Sequence, residues 1–121
     1  MKNQERINET KKEDIIFIIY YILITLSLYA NYIERIYLKY NNQQSREKYR
    51  KLLYIIFITA TLIYIYYAYS GYIELQKSQS EETRRLNNLA LFASILTVIT
   101  GFIYLYIIYQ DKDINVELVF N

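Results

Sequence analysis

The sequence predicts an all-α integral membrane protein: three transmembrane helices in an up-down-up bundle, with the helices extending beyond the bilayer. Three observations carry that prediction. Asp, Glu, Lys and Arg are absent from three long runs, positions 15–33, 52–73 and 86–110. Each run meets or approaches the ~20 residues that a helix needs to cross a hydrocarbon core of about 30 Å. The runs also lack a polar face: every residue from Ile15 to Ile24 is apolar or Tyr, whereas a soluble surface helix turns polar every 3.6 positions or so. The mean hydropathy of +0.01 hides the pattern, because 16 Tyr count as weakly polar.

Residues 1–14 form a charged tail that opens the first helix. Residues 15–33 are the first span. A cleaved leader is not expected, because its apolar region is typically about 7–15 residues and ends in a small-x-small site. Here Asn31, Tyr32, Ile33, Glu34 and Arg35 follow instead. Ile and Tyr favour strands, yet lipid demands that every backbone amide be satisfied within a helix or a closed barrel. Nothing in the runs alternates as barrel strands do, and three strands close no barrel.

Residues 34–51 are a basic, Tyr-rich connection. Ile36, Tyr37 and Tyr40 carry the first helix past the hydrocarbon, and Asn41, Asn42, Gln43, Gln44 and Ser45 form the break, with Ser45 expected to cap the second helix. The second span, 52–73, continues to about Lys77. Residues 74–85 are a polar loop in which Ser78 and Glu81 fit a capping box, and Glu81 and Glu82 suit the positive end of the third helix. The third span is 86–110. Helices are thus expected near 5–40, 46–77 and 80–110, with no internal repeat. Residues 111–121 are a short acidic tail. Val116, Leu118 and Phe120 alternate there, either as a strand that joins a partner's sheet edge or as a frayed end at the headgroups.

Composition excludes much chemistry. The chain has no His, Cys, Trp or Pro and only two Gly. No imidazole or thiolate metal site can be built, no disulfide forms, and a glycine-rich phosphate loop is absent. No ionisable group that would mark a proton relay or a voltage sensor lies within the runs. Ser27, Ser70 and Ser94 have no Lys at their depth to activate them. Neither catalysis nor a cofactor is expected.

What remains is polar, small or basic. On the third helix Ala90, Ala93, Thr97 and Gly101, with Ser94 beside them, share one face. Small residues let helices approach closely in lipid, so this face serves either self-association or packing within the chain. Tyr21, Thr25, Thr59, Thr61, Tyr64, Tyr66, Tyr67 and Thr100 form an intramembrane polar layer, either as interhelical hydrogen bonds or as the lining of a wet pore in an oligomer. The other Tyr fit the two membrane interfaces, where an apolar ring and a wet hydroxyl are both accommodated. Arg35, Lys39, Arg46, Lys48, Arg50 and Lys51 are expected to contact anionic lipid headgroups; base interleaved with aromatic also suits nucleic acid, but the lipid surface is nearer, and no nucleic-acid partner is expected.

Lys and Arg do not decide orientation by count, since each side of the expected topology carries seven. The density of the first connection favours a cytoplasmic corner with the N-terminus outside and the C-terminus inside. Abundant Ile, Tyr, Asn and Lys point to AT-rich coding, in a low-GC bacterium or one of its phages, and hence to a bacterial cytoplasmic membrane. The expected role is a small non-catalytic membrane subunit that assembles with itself or a larger partner. The alternative is a homo-oligomeric channel or pore former of the holin or toxin kind.

Overall fold

A computed structural model describes residues 2–112 and 116. Among these, α1 spans Lys2–Tyr40, α2 spans Gln43–Lys77 and α3 spans Glu81–Gln110; 93% of residues are helical and none lies in a strand. At 1.5 Å per residue the helices are about 58, 52 and 45 Å long, each exceeding a hydrocarbon core of about 30 Å. All three are long and apolar enough to cross a membrane, a property that points to a membrane protein. Leu118 and Phe120, on which the expected tail strand depends, lie outside the described residues.

The break between α1 and α2 is two residues, shorter than the polar cluster implies. Asn41 adopts a left-handed conformation (φ 50°), which Asn tolerates better than most residues and which commonly ends a helix. Asn42, not Ser45, starts α2. Its Oδ1 accepts from the Gln44 amide at 2.9 Å and the Ser45 amide at 3.4 Å, and its carbonyl accepts from the Arg46 amide at 3.2 Å. Ser45 is therefore already inside the helix, which begins about a turn earlier than expected.

The cap of α3 is likewise displaced, from Ser78 to Ser80. Ser80 is extended (φ −105°, ψ 154°) and its hydroxyl accepts from the Thr83 amide at 3.1 Å. Ser78 is buried and otherwise engaged: its hydroxyl donates to the Glu74 carbonyl at 3.0 Å and accepts from Asn87 Nδ2 at 2.6 Å. Glu81 and Glu82 occupy the first turn of α3, where the helix dipole favours negative charge. At the other end the Asp111 amide donates to the Ile107 carbonyl at 2.8 Å, and Asp111 Oδ2 accepts from the Val116 amide at 2.7 Å.

The chain divides into two compact units, with the boundary between Leu52 and Leu53 inside α2. The first contains α1, the Asn41–Asn42 corner and the opening turns of α2. In it α1 carries a single buried line, Ile16, Leu23, Ala30 and Ile33, and Tyr49 at the start of α2 has no exposed surface. The second contains the rest of α2 and all of α3. Of the three helices α2 is the most buried and α3 the least.

Candidate functional site

Within the second unit α2 and α3 meet antiparallel along lines that repeat every three and four residues. Phe57 and Tyr104 place their ring centroids 5.2 Å apart. One turn on, Gly101 lies so close to Thr61 that a Cβ at position 101 would collide with the Thr61 hydroxyl and stand 3.2 Å from its Cβ and Cγ2. Further along, a Cβ at Gly71 would touch the Leu91 Cα at 3.7 Å. Near the turn, Asn87 Nδ2 donates to Ser78 Oγ at 2.6 Å and to the Glu74 carbonyl at 3.3 Å. Arg84 Nη2 reaches the Ser78 carbonyl at 3.5 Å. Glycine thus permits close approach where apolar surface provides no preferential driving force, and an amide–hydroxyl pair closes the turn.

The five residues expected on one packing face of α3 divide between two environments. Gly101 is buried and Ser94 half-buried, both on the side toward α2, whereas Ala90, Ala93 and Thr97 are exposed. The contacts with α2 come from Asn87, Leu91, Gly101 and Tyr104; Ser94, Val98, Leu105 and Ile108, near them by helical spacing, are at least half-buried. Sequence reasoning misses the pairing of Asn87 with Ser78. Two polar side chains near the facing ends of successive apolar runs are the available signal.

The residues of the expected polar layer differ in burial. Thr61 is buried, its Oγ1 donating to the Phe57 carbonyl at 2.6 Å. Thr59, Tyr64 and Tyr67 are half-buried, while Tyr21, Thr25, Tyr66 and Thr100 are exposed. Thr25 donates to the Tyr21 carbonyl at 3.0 Å and Thr100 to the Leu96 carbonyl at 2.9 Å. Bonding to a carbonyl one turn back satisfies a hydroxyl without a second helix, so these threonines need no neighbour. Tyr66 and Tyr67 contact each other edge to face at 5.7 Å.

In the first unit the six basic residues ring the corner. Arg35 and Lys39 lie four apart on α1 and are exposed; Lys51 is exposed on α2; Arg46 and Arg50, half-buried, lie on one flank of Tyr49. Lys48 takes the other flank, its Nζ 5.1 Å from the centre of the Tyr29 ring, a cation–π distance. Tyr29 in turn stacks on Tyr32 at 6.5 Å. Lys39 Nζ lies 5.5 Å from the Tyr40 ring. The two α1 cations thus share one face, and the four α2 cations occupy both flanks of Tyr49, with the Nε atoms of Arg46 and Arg50 buried.

The fold and these contacts define a class: an all-helical chain with three helices suited to a membrane and a close glycine contact between the last two. Comparison with known proteins adds no narrower identity, since no family model, no curated protein and no solved structure matches the chain. Among the described residues no three His, Cys, Asp or Glu come together as a metal site.

Proposed function

We propose that this chain is a small non-catalytic, multi-span membrane protein, an assembly subunit that associates with itself or with a larger membrane partner through the open side of α3. The carrying observation is that Ala90, Ala93 and Thr97 are exposed, although Gly101 and Tyr104, near them on α3, meet α2. A surface of small residues in lipid favours close contact with another helix. The composition fits the cytoplasmic membrane of a bacterium.

The test is the protein mass in mild detergent, by light scattering corrected for bound detergent. A discrete multiple of the chain mass is expected, falling toward one chain in Ala90→Leu/Ala93→Leu with helix content retained. An unchanged mass in that variant removes the support. Gly101 is unsuitable for this purpose, because its contact with Thr61 is internal. A homo-oligomeric pore is the second reading, favoured by Thr97 and Thr100, which bring two hydroxyls to the exposed surface midway along α3. Dye release from liposomes at the same protein density separates a pore from a sealed assembly.

A further inference from the structure

We propose that the α1–α2 corner is an electrostatic collar that seats in an anionic lipid surface, binding headgroup phosphates collectively and not one lipid in a pocket. This rests on the membrane-spanning reading but not on self-association. Net charge separates the corner from every other segment outside the charge-free runs. Residues 34–51 carry six Lys or Arg against Glu34 and Glu47, a net +4. Residues 1–14 carry four of each sign and residues 74–85 three of each, while residues 111–121 are net −2. Attraction to an anionic leaflet is therefore concentrated at one place in the chain.

Geometry puts that charge at phosphate level. The two-residue break holds both helices helical up to the corner, so at 1.5 Å per residue all six basic positions fall within about 9 Å of the ends of the charge-free runs at Ile33 and Leu52. A polar layer of roughly 5–8 Å flanks each side of the hydrocarbon, and surface potential decays over about 8 Å at physiological ionic strength. Lys48 is drawn toward the rim: its ammonium sits over Tyr29, four positions inside the first run, with Tyr29 and Tyr32 both exposed. A cation on an aromatic at an apolar boundary is how a long basic side chain places its stem in lipid and its head at the phosphates. Arg35 and Lys39 share one face of α1 while Arg46 and Arg50 lie on one flank of α2 and Lys48 and Lys51 on the other, and this distribution is what makes the corner a collar.

The experiment reconstitutes the full chain in vesicles of phosphatidylcholine containing a minor share of phosphatidylglycerol. The chain is extracted with surrounding lipid in polymer-bounded discs, and disc composition is compared with that of empty discs. About twofold or greater enrichment of phosphatidylglycerol is expected, lost in ~0.5 M NaCl. Arg35→Gln/Lys39→Gln/Lys48→Gln/Lys51→Gln should reduce enrichment to the bulk value, with each single change giving a partial loss. Lys11→Gln/Lys12→Gln/Lys77→Gln/Arg85→Gln, an equal charge loss elsewhere, should leave enrichment in place. Bulk composition around the native chain, or equal loss in both quadruple variants, overturns the proposal. Saturation at one lipid per chain that inorganic phosphate displaces would also overturn it, in favour of a discrete phosphate site. Oligomeric mass is read separately, so assembly can fail while the collar stands.

Discussion

Gly101 shows how one missing atom sets a helix contact. Thr61 already donates its hydroxyl to the Phe57 carbonyl, so it cannot swing aside freely, and the space over Gly101 is filled by its Oγ1 and Cγ2. Gly101→Ala should therefore destabilise the α2–α3 contact by about 1–3 kcal/mol, the usual range for overpacking. Thr61→Ala should recover most of that loss when combined with it, although each change alone weakens the contact. Chemical unfolding in detergent, followed by helix content, gives the four stabilities; additive losses would mean that the two residues do not meet. Sequence periodicity places Gly101 on a face with Ala90, Ala93 and Thr97 but does not say what that face meets. In lipid both sides of a helix are apolar, so the side toward α2, with Asn87, Ser94 and Gly101 among Leu91, Val98, Leu105 and Ile108, carries no hydropathy signal of its own.

Helix existence is the most legible part, because uncharged runs long enough to span a bilayer leave little alternative in lipid. Their ends are less legible. Two serines, Ser78 and Ser80, both precede α3, and the choice between them depends on Asn87, which occupies the Ser78 hydroxyl from nine residues downstream. A local capping motif cannot report so distant a competitor. The corner offers five polar residues as the break, and the polypeptide uses two. Asn41 supplies the left-handed residue and Asn42 the side-chain acceptor. Replacing Asn41 with Gly should leave stability unchanged or slightly raised, while Asn41→Val should cost about 1–2 kcal/mol, since a β-branched residue resists φ near +50°. Thermal melting in detergent of the two variants checks this. Equal melting temperatures would mean that α1 ends differently.

At the scale of the whole molecule, charge and hydropathy divide the chain cleanly, and both the assembly and the lipid proposals depend on that division. Three runs carry no charge, and the corner between balanced or acidic segments is net +4. One consequence concerns the first residues of α1, which are helical although the apolar run begins only at Ile15. None of residues 3–14 is buried. Their side-chain contacts are local, such as Arg6 with Glu9 at 3.6 Å and the Thr10 hydroxyl to the Ile7 carbonyl at 2.8 Å. A segment this short is marginal as a free helix in water, because nucleation is costly; here the adjoining run supplies the nucleus. Opening from the first turn of α1 breaks fewer hydrogen bonds the nearer an amide lies to Asn3. Amide hydrogen–deuterium exchange should therefore slow progressively from Asn3 to Asp14 before protection becomes complete in the apolar run. A uniform plateau of slow exchange over those residues would instead reveal a second grip on them, supplied by something other than the helix itself.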